Sequence, residues 1–263
     1  MLVERLSDHP GDLVAAEERE RRRVETEQEA RIAAARQERD RARSAGRWLR
    51  WLRLVFTVGR EKRAGARQQV LTVMPTAGEE KARAGRDAEA RVAEGLGRGL
   101  SDDWTLFRGY SNARGEIDGV LLGPHGLFTI EVKYHNGTVY ITGDDWTSEK
   151  YDKYGNRVRE RGPMRDASGR RSPSQQLTEP SAMLAERLRR RDQPVTPQRV
   201  VVLTHPKARI GDIKGPTVQV VTSVRELLDL VDRSQVRLDA ARLPAVADLI
   251  RRDHQYWAAR KRA

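Results

Sequence analysis

The chain has 263 residues, and 50 Lys and Arg stand against 38 Asp and Glu, a formal net charge of +12 at pH 7. It contains no Cys, which excludes a disulfide framework, thiolate-held zinc, an iron–sulfur cluster and a thiol nucleophile. Charged residues make up 33% and aromatics 5%, so part of the chain adds little to a core, and the positive balance points to a polyanionic partner or surface.

The five His show no metal-binding spacing. No apolar run is long enough to span a bilayer, and the N-terminus lacks the charged-then-apolar order of a secretory signal. The expected compartment is the cytoplasm.

Residues 12–45 have no Gly or Pro and are rich in Ala, Glu and Arg, with opposite charges four apart, as in Glu27 and Arg31. They predict a helix. Its apolar residues (Leu13, Val14, Val24, Ile32) are too sparse for a sustained seam, so a solvated single helix is favoured over a coiled coil. The stretch 47–58 reads RWLRWLRLVFTV, and Trp48, Trp51, Leu52, Val55 and Phe56 share one helical face. That face suits a membrane surface, self-association or docking on the main domain. The expected division is a charged helical segment over 1–58, a linker over 59–77, a globular domain over 78–235 and a C-terminal helix over 236–263.

The globular part opens with a helix over 78–97. Short apolar runs at 104–110, 116–122, 127–133 and 138–142 follow, each bounded by Gly, Asn, Pro or Asp, as strands are. Residues 151–173 are polar and basic and predict a long loop. A helix over 181–191 precedes the apolar run 199–204, of the buried parallel type, and another strand at 218–221. Helices over 224–233 and 243–261 complete an α/β fold with a mixed sheet.

The segment 115–133, GEIDGVLLGPHGLFTIEVK, carries the chemistry. Two apolar runs flank Gly123-Pro124-His125-Gly126, a turn signal. A hairpin centred on that turn sets Asp118 opposite Glu131, with Cβ atoms about 5 Å apart. Lys133 falls on the same face, two residues beyond Glu131. Two opposed carboxylates repel, and a divalent cation resolves the conflict. Mg²⁺, or Mn²⁺, takes hard oxygen ligands such as Asp118 and Glu131, and Lys133 would orient a water or stabilise charge developing on phosphorus. These parts suffice for metal-assisted phosphodiester hydrolysis. The competing reading is a pair of ordinary strand-end charges. Glu89 also lies on the apolar stripe of its helix, with Gly85, Val92 and Leu96, where a lone carboxylate is unfavourable. It either faces the same site or pairs with Arg86 or Arg91.

Taken together, Gly85-x-x-x-Glu89, Glu116-Ile117-Asp118 and the run 126–133 closing on Ile130-Glu131-Val132-Lys133, with Gly137 beyond, resemble the nuclease-related domain, NERD. That family is similar to the PD-(D/E)xK endonuclease superfamily. The resemblance implies a PD-(D/E)xK-like mixed sheet flanked by helices. It implies Glu89, Asp118, Glu131 and Lys133 as site positions, and it adds Gln176, three residues after Pro173 and ahead of Leu184 and Leu188. It covers roughly 78–204. Ile117, not Pro, precedes Asp118, which is usual for NERD and weaker for the wider superfamily.

Arg157, Arg159, Arg161, Arg165, Arg170 and Arg171 follow the site, with Trp146, Tyr151 and Tyr154 near them. Arg suits phosphate contacts and aromatics stack bases, so this stretch is the expected nucleic-acid contact. Three readings stand: a metal-dependent nuclease acting on DNA, a non-catalytic nucleic-acid-binding module, and a scaffold protein working through its N-terminal helices.

Overall fold

The computed structural model describes residues 1–7, 9–49, 52–57, 60, 77–152, 154, 156–166 and 168–262. The chain divides into two compact units, Met1–His9 with Ala84–Ala263, and Pro10–Arg83.

The smaller unit is dominated by α1 (His9–Ser44), a helix of 36 residues. Most of its described side chains are exposed, and Arg23 reaches Glu20 at 3.2 Å and Glu27 at 3.4 Å. Such exposed pairs hold a helix together without a core. Residues 48–49 and 52–57 are also helical, with Trp48, Leu49 and Phe56 exposed. Trp51 and, apart from residues 60 and 77, the expected linker lie outside the described residues.

In the larger unit, a six-stranded mixed sheet runs in the order β1-β2-β3-β4-β8-β10. Its strands are β1 (Leu2–Arg5), β2 (Thr105–Asn112), β3 (Gly115–Gly123), β4 (Gly126–Lys133), β8 (Gln198–Leu203) and β10 (Gln219–Val221). The β2–β3–β4 meander is antiparallel, whereas β4, β8 and β10 run parallel, as do β1 and β2. A second sheet has the order β7-β6-β5-β9, from β5 (Thr138–Thr142), β6 (Asp145–Tyr151), β7 (Arg157–Pro163) and β9 (Arg209–Lys214).

Both faces of the main sheet are covered. Val92, Ala93 and Leu96 of α2 (Ala77–Gly99) pack with Leu106, Leu121, Phe128, Ile130 and Val200. On the opposite face, Leu177, Leu184 and Leu188 of α3 (Pro173–Arg189) pack with Val120, Leu122, Leu127 and Val201. Helix α4 (Val224–Asp232) joins α2, and α5 (Leu243–Arg262) joins α3 through Val246 and Ile250. Burial on both faces explains why β4 and β8 read as continuous apolar runs.

Several expectations shift. The stretch 151–173 is not one loop, because β7 lies in it and pairs with β6. Its exposed, Arg-rich sequence hides a strand whose partner, not its apolar pattern, holds it. Helix α3 starts at Pro173 rather than at 181, because Ser172 caps it. The Ser172 hydroxyl accepts from Gln175 N while the Gln175 side chain accepts from Ser172 N.

The N-terminal residues also belong to the main unit. β1 pairs with β2 from Leu2↔Thr105 to Arg5↔Arg108. Arg251 of α5 donates to both carboxylate oxygens of Glu4, at 2.8 and 2.6 Å. The C-terminal helix likewise packs on the main core and is no separate segment. A chain beginning at residue 78 should therefore still fold. It loses four cross-strand pairs, a stability decrease of about 2 kcal/mol, and it bares the edge of β2. Thermal unfolding of the full and shortened chains checks this. Equal stability would mean that β1 contributes nothing.

Candidate active site

The β3–β4 hairpin sets the site. Its ladder runs from Gly123↔Gly126 to Gly119↔Ile130, in the register that the turn implied. Pairing then stops one step before Asp118 and Glu131. Beyond this point β3 stays with β2, at Tyr110↔Ile117 and Ser111↔Glu116, while β4 stays with β8, at Glu131↔Val201 and Lys133↔Leu203. The sheet splits between them. The β2–β3 ladder also skips Asp118, opposite Gly109, which has a φ of 69°. The Asp118 carboxylate takes over the role of a strand partner by accepting the Val132 amide at 2.7 Å.

Glu131 is buried at 4% exposure and lies 2.5 Å from the Lys133 ammonium. Lys133 also donates to Gln176 Oε1 at 2.9 Å, and Gln176 Nε2 donates to the Arg171 carbonyl at 3.1 Å. Arg171 is anchored by Asp166 at 3.0 Å and by the Arg114 carbonyl at 2.9 Å. A chain of contacts thus fixes the lysine from the α3 side. On the α2 side, Glu89 lies 3.7 Å from Arg108. Glu89 and Arg108 line a small cavity together with Asp118, Gly119, Ile130 and Val132. Arg108 is thus an ion-pair partner of Glu89, one that neither Arg86 nor Arg91 of its own helix was needed to supply.

The electrostatics follow from this crowding. Burial pushes the Asp118 carboxyl well above its ordinary value, and the charges of Glu131 and Glu89 push it further. The Lys133 ammonium and the Val132 amide oppose the rise without cancelling it. For Lys133, burial alone would lower the pKa, but the Glu131 and Asp118 carboxylates outweigh it and raise it. The lysine therefore stays a cation at neutral pH.

All five expected site residues converge on the split hairpin. Asp118, Glu131, Lys133 and Gln176 form one cluster, and Glu89 borders it from α2. The donor chemistry fits a hard divalent cation, since two carboxylates held close with an unfavourable excess of negative charge are what Mg²⁺ or Mn²⁺ accepts along with water. Among the described residues no group of three or more His, Cys, Asp or Glu is placed to hold a metal ion, so Glu89 does not complete a three-carboxylate set with Asp118 and Glu131.

The basic residues separate. Arg157 and Arg159 stand exposed on β7. Arg161 stacks over the Tyr140 ring at 3.8 Å and donates to Thr147. Arg165 pairs with Asp145 at 3.2 Å. The Arg170 amide donates to Asp166, as does the Arg171 guanidinium. Trp146 has no exposed surface and its indole N–H donates to Ser174, so it cannot stack a base. Tyr151 and Tyr154 are exposed. Sequence reasoning missed Arg108 and Asp166, which hold Glu89 and Arg171. Arg108 finds Glu89 only in the fold, whereas Asp166 holds Arg171 within one turn around Gly169.

Fold and cluster define the class, an α/β domain with a mixed sheet opened around a polar, carboxylate-bearing site. Residues 84–204 match the family model of the nuclease-related domain, NERD. The match runs from α2 through β8 and leaves out β1, α1, β9, β10, α4 and α5. No curated protein and no solved structure gives a significant match. Among the described residues no helix is long and apolar enough to cross a membrane.

Proposed function

We propose that the domain is a metal-dependent nuclease that hydrolyses phosphodiester bonds, with DNA as the first substrate to test. One observation carries the reading. Two carboxylates sit where the sheet splits, their mutual repulsion only partly offset by a lysine held by Glu131 and Gln176. A charge cluster serving only stability would not place Asp118 where ionisation is costly.

In this reading Asp118 and Glu131 hold Mg²⁺ or Mn²⁺. The ion supplies Lewis-acid polarisation of the phosphoryl group and a more acidic water. Lys133 does the rest as a cation. Its raised pKa makes it a poor base, so it stabilises negative charge growing on the phosphoryl oxygens. Gln176 is a positioning residue that holds the ammonium against drift toward Glu131 alone.

A second reading, a binding module without catalysis, draws on the 2.5 Å Lys133–Glu131 contact, which already neutralises one carboxylate. Incubation with supercoiled, linear and single-stranded substrates, with Mg²⁺, Mn²⁺ or chelator, separates the two. Metal-dependent cleavage supports the nuclease, and its absence on every substrate supports the module.

Affinity for nucleic acid should fall steeply with salt, since each neutralised phosphate adds to the slope of log K against log salt. Of the six arginines, Arg157 and Arg159 are the better placed for such contacts, because Arg157 has only a loose exposed pair with Glu160 at 3.8 Å, whereas Arg161 stacks on Tyr140 and Arg165 pairs with Asp145 at 3.2 Å. Replacing Arg157 and Arg159 by Ala should reduce the slope by about 2. An unchanged slope would place the phosphate contacts elsewhere.

A further inference from the structure

Beyond the split hairpin, the ends of the parallel strands β4 and β8 carry an aromatic group that the proposed chemistry leaves unused. The Thr204 amide donates to the Lys133 carbonyl at 3.0 Å and ties the two strand ends together. Tyr134 and His205 are the residues that emerge just past this tie. Their rings meet edge to face, with centroids 4.8 Å apart. From α2, the Arg91 guanidinium sits 5.6 Å from the centre of the Tyr134 ring. Tyr134 is held on two sides and still keeps 42% of its surface exposed.

The surroundings are positive. Burial, and then the nearby Lys207 and Lys150 ammonium groups, hold His205 below its ordinary pKa. The Lys207 amide donates to His205 Nδ1 at 3.0 Å, which fixes the ring against rotation. A fixed, exposed aromatic ring among Arg and Lys groups is the composition that accepts a nucleobase and its phosphates. Tyr134 directly follows Lys133, and strand alternation turns its ring to the other face, the α2 side that carries Arg91. A nucleic-acid strand leaving the split across the ends of β4 and β8 would meet Tyr134 there. The C-terminal ends of parallel strands are also where open sheets present ligand sites.

We propose that Tyr134, braced by Arg91 and His205, is a stacking platform for one unpaired nucleobase next to the phosphate at the split hairpin. The subsite rests on the nuclease reading for its placement but not for its binding. It assigns a preference for single strands, because a base paired in a duplex has both faces already stacked.

The test measures binding in chelator, where no cleavage occurs, using fluorescently labelled oligodeoxythymidylate, its RNA counterpart and a duplex of matched length. Tyr134→Ala should weaken single-strand binding about tenfold and leave duplex binding unchanged. Tyr134→Phe should restore it. In the wild type, a single-stranded oligonucleotide carrying 2-aminopurine should show quenching on binding, and this measurement needs no variant to fold. Equal losses for single strand and duplex would overturn the platform, as would unchanged single-strand affinity or the absence of quenching. A protein that shows the Tyr134 dependence and never cleaves would keep the platform and remove the nuclease reading. One that cleaves and binds equally well as Tyr134→Ala would do the reverse.

Discussion

Asp118→Asn is expected to reduce phosphodiester cleavage by about 10³-fold or more while the protein stays folded and becomes more stable at neutral pH. The asparagine carbonyl can still accept the Val132 amide, so the hairpin keeps its split. What disappears is a carboxylate that burial, Glu131 and Glu89 make costly to ionise. Its folded pKa is raised, so the native state binds this proton more tightly than the unfolded chain. Ionisation costs stability as pH rises from the ordinary aspartate value toward the folded one, and the full penalty is present above it. Removing this cost should raise Tm at pH 7. The difference should shrink on acidification toward about pH 4. Lys133→Ala should also abolish cleavage while sparing divalent-ion binding, since an ammonium is no ligand. Glu89→Gln should have a large effect if its carboxylate touches the ion and a smaller one if it acts through water. Nucleic-acid binding should survive all three substitutions, because affinity comes mainly from Arg and Lys elsewhere. A wild type that cleaves nothing with Mg²⁺ or Mn²⁺, together with an Asp118→Asn protein that binds DNA more tightly without metal, would sink the nuclease reading.

Asp253→Ala should have the largest effect on stability, about 3–5 kcal/mol, or a fall in Tm of roughly 10 °C. Asp253 lies on α5 and is 3% exposed. Its carboxylate accepts the Tyr110 hydroxyl of β2 and lies 3.4 Å from Arg187 of α3. Asn112 extends the cluster by donating to the Tyr110 oxygen at 3.3 Å and to the Pro180 carbonyl at 2.9 Å. Burial first, and then the Asp253 charge, drive the Tyr110 phenol well above its ordinary pKa, so it remains a neutral donor. Removing Asp253 leaves the buried Tyr110 hydroxyl without its acceptor and the Arg187 guanidinium without its counter-charge. Tyr110→Phe deletes only one donor and should cost far less, about 1–2 kcal/mol. Urea denaturation of both variants checks the order. A small loss for Asp253→Ala would show that α5 is held by Val246 and Ile250 alone.

Much of the site was legible because it depends on local rules. The turn at Gly123-Pro124-His125-Gly126 fixed the hairpin register, and side-chain alternation put Glu131 and Lys133 on one face of β4. The apolar run at 199–204 announced a strand buried on both faces, and β8 is such a strand. Less visible were β1 and β7. Leu2, Val3 and Val158 are exposed, so neither strand has a core-facing alternation strong enough to read, and each exists through its neighbour. Trp146 illustrates the converse error. Its place just before a polar, basic stretch suggested a stacking surface, yet it fills the core and donates to Ser174.

The amino-acid sequence by itself determined the elements with strong periodicity, the hairpin and the residue types that carry the chemistry, because these follow from spacing along one short stretch. Only the tertiary structure decided where the sheet splits, since that needs β2 and β8 to pull β3 and β4 apart beyond Gly119 and Ile130. It alone chose Arg108 for Glu89 and Asp253 for Tyr110, the latter pair 143 positions apart. An ion pair or a buried hydrogen bond depends on distance in space and on desolvation, and for the distant partners neither quantity is written in the order of residues until the chain has packed.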